Sequence, residues 1–218
     1  MCADYNPART AHLERMSWGR HTISTPPLDF GETFPGGLAP FLANCLPTEW
    51  TVGMFGVVPH WGDPKKLFRM TYNARSETVG QKPAYRNAWK QRQFALIPVE
   101  AFYEPCYETG KPVRWRIERA DSEPFALAGI WERRMGDEGP ARWSFSMLTI
   151  NADGHPLMSR FHKPGEEKRS VVVLDPSDYE GWLRARTEIE ARSFLQPFDP
   201  EQMKAEPAPR PPRTVKET

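Results

Sequence analysis

Apolar residues along this chain gather in short blocks of alternating or continuous hydrophobicity, separated by Gly, Pro and polar positions. The blocks Trp50–Val58, Phe94–Tyr103, Val113–Glu118, Phe125–Trp131, Trp143–Ile150 and Ser170–Leu174 have the length and β-branched or aromatic content of strands. Residues 8–19 read as a short helix. The segment Ile23–Phe41 is broken by Pro26, Pro27, Pro35, Gly36, Gly37 and Pro40 and is expected to be loop. Two more helices are expected, over Pro83–Gln91 and from Ser177, where Ser177 and Glu180 have capping-box spacing. Strands in runs with helices set apart predict an α+β fold, β-rich, with mainly antiparallel pairing. From Pro197 the chain turns to Pro, Glu, Lys and Arg with little to bury, which predicts one folded domain over 1–196 and a disordered tail over 197–218.

Composition narrows the function classes. The 218 residues suit one large domain. With 29 Lys plus Arg against 28 Asp plus Glu, the net charge of +1 creates no global field for a polyanion, so any nucleic-acid site must be a local patch. Cys2, Cys45 and Cys106 are too scattered for a disulfide framework, and the absence of a C-x-x-C pair gives no indication of zinc. A reducing cytoplasm is the expected setting. The apolar runs are far shorter than a membrane span and no signal-peptide core is visible, so the mature chain is expected to begin at or next to Met1.

Four features could carry chemistry. Between Lys65 and Arg92 lie Lys65, Lys66, Arg69, Arg75, Lys82, Arg86, Lys90 and Arg92, with Trp61, Phe68, Tyr72, Tyr85 and Trp89 available to stack on bases. A solvated helix face over core aromatics explains the same pattern. Removal of Met1 would leave Cys2 with an α-amine and a thiol on adjacent carbons. That amine ionises near 7.7 to 8.0, so part of it is nucleophilic at neutral pH, and an aldehyde meeting the pair can form an imine that the thiol closes to a thiazolidine. In Thr71–Thr78, alternation would place Asn73, Arg75 and Glu77 on one face if the segment is extended. Glu100 and Glu104 follow an apolar run, where desolvation can raise a carboxyl pKa, and His162 is a loop histidine able to exchange protons.

Taken together, Met1-Cys2, Ala39-Pro40, Asn73-Ala-Arg75-Ser-Glu77, Pro98–Glu104, Phe125–Glu132 and Thr149–Asp153 with Phe161-His162 resemble, in order and spacing, the SOS-response-associated peptidase family. The resemblance implies a compact β-rich α+β domain with a barrel-like sheet and a role in processing abasic sites in single-stranded DNA. It implies Cys2 as nucleophile, Asn73 orienting its amine, Glu104 shuttling protons and His162 protonating the departing sugar oxygen. Arg75 would grip phosphate, with Pro40, Trp61 and Thr149 as further DNA contacts, and neither metal nor cofactor is implied. Self-removal of Met1, hence the peptidase name, and lyase activity at abasic sites belong to the same expectation. A monomer, nucleoid-associated when on damaged DNA, is expected.

Three positions depart from the family pattern. Ala3-Asp4 stands where Gly-Arg is common, so a carboxylate that repels DNA replaces a phosphate-binding arginine. Pro105 follows Glu104 where Trp is common, and Phe161–Glu167 replaces a shorter Ile-His-x-Arg-x-Pro pattern. Two other readings stay open. A cysteine peptidase acting on other proteins would use Cys2 with His162 and Asn73 or Glu104, and a binding module without chemistry would use only the 65–92 patch.

Overall fold

The structure is a computed structural model that describes residues 2–16, 29–135 and 142–211. In chain order its elements are strand β1 (Asp4–Pro7), helix α1 (Thr10–Arg15), strands β2 (Leu38–Ala43) and β3 (Trp50–Phe55), and helix α2 (Pro64–Thr71). Strand β4 (Asn73–Arg75), helix α3 (Arg86–Lys90) and strands β5 (Phe94–Cys106), β6 (Val113–Arg119), β7 (Phe125–Arg134) and β8 (Arg142–Asn151) follow. Strands β9 (Arg169–Val171) and β10 (Val173–Leu174), helices α4 (Tyr179–Arg184) and α5 (Glu188–Ser193), and strand β11 (Met203–Pro207) complete the described chain.

Five strands close on themselves in the order β5, β7, β8, β3, β2 and back to β5, forming a barrel. Every pairing in the ring is antiparallel except β3 with β8, and β4 adds a second parallel partner to β8. Closure buries both faces of these strands, which is why they read as nearly unbroken apolar runs. In β5, Ala95, Ile97 and Val99 join Phe41, Phe55, Phe145 and Met147 in one core. Phe94 and Leu96 face a second core with Ala128, Ile130, Leu148 and Trp182. Helix α4 seals that second core: the Trp182 ring packs on Phe94 with centroids 4.4 Å apart, and its indole N–H donates to the Ala95 carbonyl at 2.8 Å.

Strand β5 is thirteen residues long and changes partners along its length. Its first half pairs with β7 inside the barrel, and its second half, Phe102–Cys106, leaves the barrel to pair with β6. β1 lies along the middle of β5, with Asp4 opposite Tyr103. This crossover delivers the start of the chain to the exit end of β5.

The expected strands are all present. Other expectations need correction. Leu38–Phe41, expected as loop, belongs to strand β2, which accommodates Pro40 because the ladder there runs to β3 alone and β5 joins only at Leu42 and Ala43. The helix expected over 8–19 is confined among the described residues to Thr10–Arg15, and 17–19 lie outside them. Ser177 does not cap a helix: Asp175 accepts from the Ser177 N–H and closes a 3-10 turn ahead of α4. From Pro197 the chain is ordered through Pro211, with β11 paired along the edge of β6, while 212–218 lie outside the described residues. Helices α2 and α5 and strands β1, β4 and β11 were not anticipated.

Gly129 sits where the barrel leaves no room, since a Cβ there would lie 2.6 Å from Ile97 Cδ1 and 2.8 Å from the Ser146 carbonyl oxygen. Gly129→Ala should therefore lower stability by about 1 to 3 kcal/mol in urea denaturation. Gly154→Ala, with nothing within 4 Å, should stay within about 0.5 kcal/mol of wild type. Equal effects would show that the barrel interior is looser than described.

Candidate active site

Where β1 meets the exit end of β5, Cys2 is buried at 1% exposure. Asn73, the first residue of β4, reaches it: Nδ2 donates to the Cys2 carbonyl oxygen at 2.7 Å. The Asn73 carbonyl in turn accepts from the Tyr85 hydroxyl at 3.0 Å, so the start of α3 holds β4 in place. The other end of the Asn73 amide, Oδ1, is buried and has no hydrogen-bond partner among the described residues.

Glu104 is the third buried polar group, near the end of β5. His162 is brought to it by backbone stitching: the His162 N–H donates to the Pro105 carbonyl at 2.8 Å, and Phe161 bridges Cys106. His162 takes a positive φ of 64°, unusual for a residue with a side chain, and the Lys168 ammonium holds the turn by donating to the Phe161 and His162 carbonyls at 2.8 and 3.0 Å. His162 Nδ1 lies 3.5 Å from Glu104 Oε2. Its Nε2 is 2.9 Å from the Arg169 carbonyl, which can only accept, so Nε2 carries the proton and Nδ1 presents a lone pair to Glu104.

Burial decides the charges here. It pushes the Glu104 carboxyl up to about 8 and lowers the His162 imidazole to about 4. At neutral pH the pair is then a protonated carboxyl facing a neutral imidazole, not an ion pair. Burial also raises the Cys2 thiol well above its ordinary value, with the Glu104 and Asp4 carboxylates adding to the effect. The sulfur is a thiol at neutral pH, donating to the Asp4 carbonyl at 3.4 Å.

The other expected residues lie in several places. Arg75 is exposed and pairs with Glu167 at 2.9 Å. Glu77 pairs with Arg169 at 2.8 Å. Thr149 is buried, its hydroxyl accepting from Arg169 Nη2 at 3.1 Å. Pro40 is buried in β2 opposite Val52, whereas Trp61 is 53% exposed. Of the aromatics in the basic stretch, Tyr85 and Trp89 belong to the core. Arg86, Lys90 and Arg92 line a different cavity from the one that Glu104 lines. Glu100 contacts His12 at 2.9 Å, apart from Cys2.

Arg169 was missed, although it ties Glu77, Glu167 and Thr149 together, because one arginine at a strand head carries no distinguishing pattern. The three cysteines are free, and among the described residues no group of three or more His, Cys, Asp or Glu side chains could hold a metal ion. No helix among them is long and apolar enough to cross a membrane.

Comparison with known proteins places this architecture. The family model of the SOS response associated peptidase (SRAP) matches residues 33–211, so the chain belongs to that family. Abasic site processing protein YoqW of Bacillus subtilis is 29% identical over 154 residues, covering 69% of this chain and 65% of YoqW. Abasic site processing protein YoaM of the same organism is 27% identical over 154 residues, 69% of this chain and 64% of YoaM. The match thus spans just under two thirds of these relatives' length. A crystal structure of a Bordetella bronchiseptica protein is 33% identical, with a TM-score of 0.83 over 95% of this chain and 99% of that one. A Bacteroides thetaiotaomicron protein, 23% identical, shares the fold with a TM-score of 0.78 over 94% and 90% of the two chains.

The raised Glu104 carboxyl links to stability with a definite sign. Below its ordinary value of 4.5 the group is protonated whether the chain is folded or not, and its contribution is fully present. That contribution is lost as pH rises toward and through about 8, where the unfolded chain releases a proton that the folded one must surrender at a cost. Glu104→Gln should therefore gain on wild type in thermal denaturation between pH 5 and 9, by up to a few kcal/mol. Glu132, which burial raises to about 7, leaves a residual slope in both proteins. A difference independent of pH would contradict the buried acid.

Proposed function

With membership of this family as the premise, we propose that the chain captures the ring-opened aldehyde of an abasic site in single-stranded DNA as a covalent adduct on Cys2. The observation that carries this reading is the buried meeting of Cys2, Asn73 and Glu104, in which Asn73 donates to the Cys2 carbonyl and keeps Oδ1 as an acceptor without a partner among the described residues. Once Met1 is removed, by the protein itself or by another peptidase, the α-amine of Cys2 emerges beside that acceptor. An acceptor orients an N–H and leaves the nitrogen lone pair for attack.

The amine adds to the aldehyde carbon to form a carbinolamine. Glu104, protonated at neutral pH, donates to the departing hydroxyl, and water and an imine result. The thiol then adds across the C=N bond, its proton passing to nitrogen, and a thiazolidine closes with one water lost overall. His162, with its Nδ1 lone pair toward Glu104, relays protons to and from that carboxyl and to the sugar oxygen freed on ring opening. An imine also acidifies the neighbouring sugar carbon, which gives a route to strand cleavage by β-elimination. Arg75 for phosphate and the exposed Trp61 for base stacking are the proposed DNA contacts.

A cysteine peptidase acting on other proteins would attack with a thiolate, whereas burial holds this sulfur as a thiol and the imidazole lone pair faces Glu104. Both features favour chemistry that starts at the amine.

Incubation with an abasic single-stranded oligonucleotide and denaturing electrophoresis tests the reading. Wild type should give a band that survives boiling, and a tag that blocks the amine should abolish it. Cys2→Ala with Met1 removed should give an adduct visible only after borohydride reduction. Glu104→Gln should slow adduct formation by about 100-fold or more. A durable adduct from amine-blocked protein would overturn the proposal.

A further inference from the structure

Strand β1 spans four residues, and its first residue, Asp4, is gripped by two arginines from distant parts of the chain. Asp4 Oδ2 accepts from Arg114 Nε and Nη2 at 2.9 and 2.7 Å and from Arg210 Nη2 at 2.8 Å. Glu32 Oε1 accepts from the same two Nη2 groups, at 3.0 Å in the case of Arg210. Each guanidinium also lies over an aromatic ring, Arg114 3.3 Å from the Tyr103 centroid and Arg210 4.7 Å from that of Phe34.

The two arginines are joined through the backbone. Beyond β11, the Ala208 N–H donates to the Arg114 carbonyl at 2.8 Å, which carries Arg210 across the end of β6 to the start of β1. The result walls a cavity of about 520 Å³ lined by Asp4, Tyr103, Glu104, Arg114, Pro209 and Arg210. Glu104 connects this cavity to the site already described.

We infer that Arg114 and Arg210 are positioning residues, which clamp Asp4 and thereby hold Cys2 against Asn73 and Glu104. The inference rests on the proposed role of Cys2. Only Ala3 separates Cys2 from Asp4, so a fixed Asp4 leaves about 7 Å of chain in which the nucleophile can wander. A four-residue strand at the start of a chain frays unless tied down, and a displacement of about 1 Å at a reacting atom can cost about 100-fold in rate. Asp4, a repulsive charge when read from the sequence, is on this account the anchor of the nucleophile, and its charge is balanced by its partners.

The competing role for Arg114 and Arg210 is direct contact with DNA phosphate, and the two roles predict opposite effects of Asp4→Asn. If the arginines grip phosphate, removing the carboxylate frees them, and DNA binds more tightly with no loss of rate. If they clamp Asp4, the same change loosens Cys2 and slows the reaction.

Asp4→Asn, Arg210→Ala and Arg210→Lys in the full chain distinguish these roles through three measurements. The first is the single-turnover rate of adduct formation at saturating abasic oligonucleotide, and the second is affinity for an oligonucleotide with a stable tetrahydrofuran abasic analogue. The third is the iodoacetamide alkylation rate of Cys2, followed on its peptide by mass spectrometry without DNA. Asp4→Asn and Arg210→Ala should slow the first about 10- to 100-fold. They should leave the second within about 2-fold and speed the third about 10-fold, since a loosened strand exposes a buried thiol. Arg210→Lys, which keeps the charge, should recover part of the rate. Unchanged Cys2 alkylation in both charge-removing variants, or tighter DNA binding at wild-type rate in Asp4→Asn, would overturn the clamp. Should wild type form no adduct while the variants expose Cys2, the clamp stands and the proposed chemistry falls.

Discussion

One buried hydrogen bond, from the Asn73 side chain to the Cys2 carbonyl, sets where the start of the chain meets the barrel. Both groups are removed from water, so leaving either unpaired would carry a desolvation cost of about 1 to 3 kcal/mol. That cost makes the contact directional and demands that β4 and β1 both be held. β4 is held by its parallel ladder to β8 and by Tyr85, and β1 by its ladder along β5. The barrel supplies the rigid frame on which these attachments meet.

The same burial controls the proton inventory. Removing a carboxyl, an imidazole and a thiol from water favours the neutral form of each, and here all three shift in that direction. A neutral acid, a neutral relay and a protonated sulfur suit a sequence of amine addition, dehydration and late thiol closure. Toward the rim the charges are paired: Glu77 and Glu167 close on the buried Arg169, and Glu167 also meets the exposed Arg75.

Much of the barrel was legible because a strand buried on both faces reads as a continuous apolar run, as in Phe94–Val99 and Phe125–Trp131. Strands β2 and β11 were not, because Pro40 and the prolines after Pro197 signal breaks that tertiary pairing overrides. Capping-box spacing at Thr187 and Glu190 does serve a helix, α5: the Thr187 hydroxyl accepts from the Glu190 N–H at 3.1 Å, and Glu190 reaches back to the Arg186 N–H. The Ser177 pair lost to Asp175. At the site, Cys2, Asn73 and Glu104 could be named from ordered motifs. Arg114, Arg169 and Arg210 could not, since their meaning comes from segments that meet only after folding. The aromatic stretch was ambiguous between core and stacking surface, and the fold divides it, with Tyr85 and Trp89 in the core and Trp61 outside.

In the proposed chemistry the α-amine and the thiol of Cys2 end on one sugar carbon. Mass spectrometry of the protease-digested adduct with an abasic oligonucleotide reads this out. The expected product is a modified peptide beginning at Cys2, carrying the sugar with the loss of one water, and resistant to alkylation at that sulfur. A sugar found on a lysine or on Cys45, or a Cys2 peptide whose thiol still alkylates, would contradict it.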